Sequence, residues 1–186
     1  MLRRLPTACA ACALALATVT PARADETWVG GTSNDWFDAT NWSGGVVPTP
    51  ADNVTIDTVD PNTTVVGAVG ATANGLTVGD ISAGLLTIQN GGTLTSGGGG
   101  TIGNQSGSIG IVTVDGAGSS WTTGSSGLAV GNNGTGTLTI QNGAAVSSNG
   151  GSIGAASGST GTVMVTGAGS SWTSSCLLYT SDAADE

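Results

Sequence analysis

The sequence predicts an all-β protein that folds as a parallel β-helix, and two observations support this prediction. Short runs alternate apolar and polar residues, as in Leu86-Thr87-Ile88, and Gly, Asn and Ser separate the runs. These runs also recur at a near-constant spacing, which is typical of a solenoid. No stretch has the period of an amphipathic helix, and β-branched residues dominate the apolar positions. We therefore expect short parallel strands stacked in successive coils.

Two long repeats of 51–52 residues occupy residues 75–175. Leu76 in GLTVG and Leu128 in GLAVG are 52 positions apart, and Trp121 and Trp172, each in a GAGSSWT segment, are 51 apart. One residue is lost before Ile153. Each repeat divides again into units of about 25 residues, each with three short strands. The region therefore predicts four coils of a β-helix, and each coil needs its neighbours for stability.

Four columns of apolar residues define the faces that we expect to point inward. The columns are Val78, Ile102, Val130 and Ile153; Leu86, Val112, Leu138 and Val163; Ile88, Val114, Ile140 and Val165; and Leu94, Trp121, Val146 and Trp172. Strands of neighbouring coils lie ~4.8 Å apart, so each column predicts a continuous file of side chains inside the solenoid. The intervening Thr87, Thr113 and Thr139 should then stack outside.

The five tryptophans permit two interpretations. Trp121 and Trp172 share a column with aliphatic residues, which favours a place in the core, whereas outward rings would offer a surface for sugars. Residues 25–74 contain Trp28, Trp36 and Trp42, and Val54-Thr55-Ile56 there resembles a first strand. We interpret this part as an N-terminal capping segment whose aromatics shield the first coil. An aromatic carbohydrate-binding surface is the functional alternative.

The first 24 residues have the pattern of a secretory signal peptide. Arg3 and Arg4 precede an apolar stretch from Ala8 to Thr20 that is too short to span a bilayer. Ala22-Arg23-Ala24 is a small-x-small cleavage site, so the mature chain should begin near Asp25. Only Cys176 would remain after cleavage, and we expect an exported protein that is stabilised without disulfides.

The last eleven residues, 176–186, do not continue the repeat. Their sequence, CLLYTSDAADE, resembles the conceptual translation of a transposon-end sequencing adapter joined to a shortened reading frame. A further Gly-rich strand is expected after Trp172-Thr173. We therefore assign no function to residues 176–186 and expect the natural protein to continue past Ser175.

The charge distribution restricts the classes of function. The chain has 3 Lys and Arg against 12 Asp and Glu, and after Ala24 it has no Lys, Arg or His. Nucleic-acid binding, histidine-based triads, lysine Schiff bases and histidine metal ligands are therefore disfavoured. The acidic residues form no pair that the repeats preserve, since Asp80 corresponds to Asn132 and Asp115 to Thr166. A repeated Gly-Gly-x-Gly-x-Asp calcium motif is also absent, so we expect no enzyme, no cofactor and no metal site.

Three segments resemble a known bacterial repeat. They are VTVDGAGSSWT, GLAVGNNGTGTLTIQNG and VTGAGSSWT, and they are similar to the repeat associated with type V secretion and PEP-CTERM proteins. The opening W-x-G, N-W-S-x-G-x-x-P and D-x-V-x-I elements resemble the starts of autotransporter passengers. The resemblance covers about residues 26–175. It implies a secreted or surface-displayed β-helix of a Gram-negative bacterium, followed in the full-length parent by an outer-membrane barrel.

These observations predict a structural or adhesive passenger domain, exported to the cell surface or the medium, with host or surface glycans or proteins as possible partners. An alternative is a glycan-binding or glycan-degrading β-helix whose active site lies in a missing C-terminal part. A third hypothesis is binding to ice or crystal surfaces through the rank of Thr87, Thr113 and Thr139. Met164 interrupts that rank in the fourth coil, which disfavours this hypothesis.

Overall fold

The chain forms an all-β solenoid of parallel strands in the computed structural model, which confirms the predicted fold class. The structure describes residues 25–176 and 178–180. A 3-10 helix at Ala39–Asn41 is the only helical segment in that part of the chain. None of the described residues belongs to a helix with the length and hydropathy of a membrane span. The expected signal peptide, Met1 to Ala24, lies outside the described residues.

The described strands divide between two sheets. The strands are β1 (Asp25–Thr27), β2 (Asn53–Ile56), β3 (Thr64–Val66), β4 (Ala71–Val78), β5 (Ala83–Ile88), β6 (Thr93–Ile102), β7 (Ile109–Asp115), β8 (Ser120–Thr123), β9 (Leu128–Val130), β10 (Thr135–Gln141), β11 (Ala145–Ser148), β12 (Gly151–Ile153), β13 (Thr160–Thr166), β14 (Ser171–Ser174) and β15 (Leu178–Thr180). The long sheet has the order β1-β2-β4-β6-β8-β11-β14, and β9, β12 and β15 join it at the side. The short sheet has the order β13-β10-β7-β5-β3.

Each coil places one strand in the short sheet and two strand segments in the long sheet. The second half of β4 leads into β5 and then into the first half of β6, and the second half of β6 begins the next coil. Gly79, Gly103 and Gly131 turn the chain at equivalent points with a φ of 72° at each. A Cβ at any of the three would collide with the backbone of the next coil, so only glycine fits there.

The register of the strands confirms the predicted columns. Val112 pairs with Leu86 on one side and with Leu138 on the other, and Leu138 pairs in turn with Val163. The columns that begin at Ile88, Val78 and Leu94 are also matched residue by residue along their full predicted length. Thr87, Thr113 and Thr139 lie side by side with Met164 next in line, as the spacing predicts.

The solenoid register begins before the first recognisable repeat. Val54 of β2 pairs with Leu76, and Thr64 of β3 pairs with Leu86, so residues 53–73 already form a coil. The first strand is β1, which pairs with β2 and precedes the Val54–Ile56 segment expected to come first. An isolated parallel bridge between Asp35 and Val65 adds a backbone pairing next to β3, at the edge of the short sheet. Residues 25–74 thus combine a cap with a full turn of the solenoid.

The core consists of the inward columns of aliphatic residues, which together we call the aliphatic file. The cap covers this file at the N-terminal end, and the side chains of the last described coil are less buried. Side chains of the middle coils, such as Leu86, Val112 and Leu138, are completely buried. In the last coil, Val163 is only partly buried and Val165 is 46% exposed. The strand β15 pairs with β12, and all three of its residues are exposed. Burial thus decreases in the last described coil.

Candidate functional site

Trp28, Trp36 and Trp42 form a cluster inside the cap. Their exposed fractions are 1%, 0% and 2%, so the rings do not offer a sugar-binding surface. Trp42 meets Trp28 and Trp36 edge to face, with ring centroids 5.0 Å and 4.7 Å apart. Trp28 Nε1 donates to the Asn62 carbonyl at 2.8 Å, and Trp42 Nε1 donates to the Trp36 carbonyl at 2.7 Å. The cluster covers the N-terminal end of the aliphatic file.

Trp121 and Trp172 point into the solenoid, two coils apart in the same file. Trp121 is fully buried, and Trp172 is partly buried against the core of the last coil. Each indole donates to a serine hydroxyl one coil earlier: Trp121 Nε1 to Ser96 Oγ, and Trp172 Nε1 to Ser148 Oγ, both at 3.0 Å. These serines were missed by sequence reasoning. Their spacing of 25 and 24 residues before the tryptophans is the signal that identifies them.

A glycine opposite Trp121 makes room for its ring. Gly100 lies in an inward column between Leu76 and Leu128, and a Cβ at Gly100 would lie 2.5 Å from Trp121 Cζ2. The coil with Trp121 therefore has glycine at this position, whereas the two neighbouring coils have leucine there. A coil with a large ring thus has a small residue across the core, which keeps the packed volume similar from coil to coil. This pairing explains why the sequence repeats over two coils rather than one.

The acidic side chains of the solenoid are used to bind neighbouring coils. Asp57 Oδ1 accepts hydrogen bonds from the backbone N–H groups of Asp80 and Ser82 at 2.8 and 2.9 Å. Asp80 Oδ1 accepts from Asn104 Nδ2 at 2.7 Å, and Asn104 Oδ1 accepts from Asn132 Nδ2 at 3.0 Å. We call Asp80, Asn104 and Asn132 the amide ladder. It joins three coils along one edge and explains why Asp80 has no acidic counterpart in the next repeat.

Asp38 is the centre of a polar network in the cap loop, which we define as residues 28–52. Its Oδ1 accepts from the hydroxyl and the backbone N–H of Thr40 at 2.6 and 3.0 Å, and its Oδ2 accepts from Thr32 and Ser33. These hydrogen bonds, the Thr40 hydroxyl first, lower the pKa of Asp38 to about 2. Among the described residues, no three His, Cys, Asp or Glu side chains are grouped so that they could hold a metal ion.

The outer face of the long sheet carries a file of hydroxyl groups that crosses five coils. Its members occupy equivalent positions in β4, β6, β8, β11 and β14, and we call them the hydroxyl file: Thr72, Thr95, Thr122, Ser147 and Thr173. All but Thr72 are exposed. A shorter file of Thr55, Thr77 and Thr101 runs on the same sheet. Sequence reasoning considered only the file of Thr87 and missed these two, although their spacing is as regular.

A shallow depression of about 340 Å³ lies on the same sheet. Its lining includes the glycines at positions 98–100 together with Asn74, Thr77, Thr101 and Ser126. The long sheet therefore offers a broad polar surface of hydroxyl, amide and backbone groups, with few large side chains. Such a surface suits contact with an extended partner rather than enclosure of a small molecule.

The fold defines the chain as a parallel β-solenoid protein. A family model described as a domain of unknown function (DUF8693) matches residues 27–112, which include the cap and the first coils. No curated protein and no solved structure matches the chain. The matched family brings no activity, so a functional proposal depends on the residues themselves.

Proposed function

We propose that this chain is a structural or adhesive passenger segment of an exported, autotransporter-like bacterial protein. The observation that supports this most is the continuous ladder of parallel strands in one solenoid, from β1 to β14, whose long sheet presents an outer hydroxyl surface. A solenoid extends by ~4.8 Å for each coil and exposes repeated side chains along its length. It is suited to act as a stalk that also carries contact groups.

The N-terminal sequence supports export. Two arginines, a short apolar stretch and the Ala22-Arg23-Ala24 site together form the signal-peptide pattern. Stability without disulfides fits the fold, because the coils are joined by parallel backbone ladders and by a buried aliphatic file. The resemblance of the GAGSSWT segments to type V secretion repeats supports an anchor supplied by an outer-membrane barrel in the full-length parent.

We also propose that this segment is not an enzyme. Three acidic groups of the described chain have structural partners: Asp57 binds backbone N–H groups, Asp80 begins the amide ladder, and Asp38 orders the cap loop. General acid-base catalysis needs a carboxyl group that can reach a substrate and exchange a proton. The composition of the long sheet is therefore explained better by binding to glycans or proteins of a surface than by catalysis.

Expression of the 186-residue chain with a C-terminal tag in a Gram-negative host tests the export step. We expect processing after Ala24, so that N-terminal sequencing reads Asp25 first, and recovery outside the cytoplasm. The matched variant Ala24→Asp should block processing while leaving the solenoid unchanged. Accumulation of unprocessed wild-type chain in the cytoplasm would contradict the proposal.

Adhesion is tested with beads that carry the purified processed chain. We expect binding to surfaces coated with bacterial or host glycans and proteins, with a loss in the double variant Thr95→Ala/Thr122→Ala, which shortens the hydroxyl file. The control Thr87→Ala/Thr113→Ala removes two hydroxyls from the other sheet. Equal binding of both variants and the wild type would remove the hydroxyl file from the proposal, and hydrolysis of a polysaccharide by the chain would refute the non-enzymatic assignment.

A further inference from the structure

A second, larger concavity lies at the side of the cap. It is a cleft of about 480 Å³ lined by Asn34, Asp35, Phe37, Val65, Gly67 and Ala68. The cap loop supplies one wall, and the end of β3 with the residues that follow it supplies the other. Its volume falls within the range of ligand pockets, roughly 300–1,000 Å³.

The cap-loop wall is held in place by the sheet. Val65 N–H donates to the Asn34 carbonyl at 2.8 Å, and Trp36 N–H donates to the Val65 carbonyl at 2.9 Å. Asn41 Nδ2 fixes the backbone from the other side through a 3.0 Å hydrogen bond to the Asp35 carbonyl. These contacts order the backbone before any ligand binds, which lowers the entropic cost of binding.

The lining combines an aromatic ring with an amide and a carboxylate. Phe37 is partly buried and packs against the core, so its ring is fixed while part of it lines the cleft. Asp35 Oδ1 accepts from Phe37 N–H at 3.0 Å, which orients the carboxylate next to the ring, and Asn34 is exposed beside it. Gly67 leaves the floor open, since an added Cβ would meet no atom within 4 Å.

We propose that this cleft binds a neutral saccharide. A sugar ring has an apolar face of C–H groups that can stack on Phe37 and an edge of hydroxyls that can bond to the Asn34 amide and the Asp35 carboxylate. Anionic ligands are disfavoured because residues 25–186 contain no Lys, Arg or His to pair with them, and because Asp35 adds negative charge at the cleft. Uronic acids and other anionic sugars are therefore excluded from the proposed class.

This inference does not depend on export or on the passenger assignment. The cleft belongs to the cap, and its chemistry differs from that of the hydroxyl file. Sequence reasoning gave an aromatic carbohydrate-binding surface in residues 25–74 only as an alternative to the cap, and the three tryptophans of that segment are buried. The structure assigns carbohydrate recognition instead to Phe37, whose neighbours in sequence fold back against β3.

Saturation-transfer difference NMR on the 186-residue chain tests the cleft directly. The probes are cellobiose, maltose and lactose as neutral disaccharides, with digalacturonate as the anionic comparison. We expect transfer to at least one neutral disaccharide and none to digalacturonate. Phe37→Ala should weaken that binding by about tenfold because it removes the stacking face. Ile81→Ala, a change at an exposed apolar residue of another coil, should leave binding unchanged.

Two further variants keep the test decisive if Phe37→Ala perturbs the cap. Phe37→Leu retains apolar packing but lacks the aromatic face, and Asn34→Ala changes an exposed side chain while its backbone contact to Val65 remains. Both should bind several-fold more weakly than the wild type, with an unchanged melting temperature for Asn34→Ala. The proposal is overturned if no neutral disaccharide binds, if digalacturonate binds equally well, or if the Phe37 and Asn34 variants retain wild-type binding.

Discussion

The cap loop and the repeated coils belong to one ladder of parallel strands but are stabilised in different ways. The coils are stabilised mainly by backbone hydrogen bonds between parallel strands and by packing of the aliphatic file. Side-chain hydrogen bonds occur at intervals along the edges. In the cap loop, a dense set of side-chain hydrogen bonds around Asp38 and Asn41 orders an irregular backbone next to three indoles that pack edge to face. Each coil is stabilised by contacts that recur in the neighbouring coils. The cap has no such equivalent, so it is stabilised by contacts that occur only there.

The difference shows what each region should tolerate. A coil depends on side-chain volume, because each inward residue packs against the equivalent residue one coil away. The cap loop depends on the charge and donor pattern of a few polar groups. We therefore expect the coils to respond most strongly to changes in size and the cap to respond to changes in protonation.

The largest expected effect is at the pair of Gly100 and Trp121. Trp121→Val should cost about 3 kcal/mol or more in unfolding free energy because it leaves a cavity in the core. Gly100→Leu should cost about 1–3 kcal/mol because the new side chain collides with the indole. The double variant reproduces the Leu128 and Val146 combination of the next coil, so it should be more stable than the sum of the single effects predicts. Urea denaturation of all four proteins measures this coupling, and strict additivity would contradict volume balance.

A smaller effect is expected from polar groups inside the coils. Ser96→Ala removes the acceptor of Trp121 Nε1 and should cost about 1–3 kcal/mol, because a buried donor is left without a partner. Thr123→Val is the matched control, since Thr123 Oγ1 is buried and no hydrogen-bond partner for it is described. That substitution should be neutral or slightly stabilising. Thermal unfolding compares the two, and a larger loss for Thr123→Val would reverse this interpretation.

Much of the coil geometry follows from the sequence because its signals are local. The alternation in Leu86-Thr87-Ile88 fixes which side chains point inward, and the constant spacing fixes which residues become neighbours. The turn glycines mark the ends of strands. The sequence therefore predicts the four inward columns and the outward position of Thr87.

The parts that the sequence did not predict depend on contacts between distant positions. The coil at residues 53–73 was missed because its spacing to the next coil is 22 residues at Val54 and Leu76, shorter than the period of about 25 elsewhere. The need for Gly100 becomes visible only when Trp121 lies across the core. The cleft at Phe37 was missed because a loop folds back to β3 through backbone hydrogen bonds, which leave no pattern in the sequence.

The amide ladder should show an intermediate sensitivity to charge. Asn104→Asp replaces the amide donor to Asp80 with a second carboxylate, so we expect a loss of about 1–2 kcal/mol near neutral pH. Asn104→Ala removes the contact without adding charge and should cost less. The difference in unfolding free energy between the two variants should shrink as the pH falls, since protonation of the introduced carboxylate relieves its repulsion with Asp80. Urea denaturation across a pH series measures it, and a pH-independent difference would argue against direct contact of the two side chains.

The smallest expected effect concerns Asp38. It is a dependence of stability on acid pH that arises in the cap and not in the coils. Its pKa is about 2 in the folded chain against an ordinary value of 3.8, so the carboxylate stabilises the cap above about pH 4. That contribution is lost as the pH falls through the folded value near 2, because the protonated group accepts more weakly from Thr40, Thr32 and Ser33 and one of its oxygens carries a proton. Asp38→Asn should lower the urea midpoint near neutral pH and remove this part of the acid dependence. The exposed Asp60→Asn is the control, and an identical acid dependence in Asp38→Asn and the wild type would show that Asp38 does not order the cap.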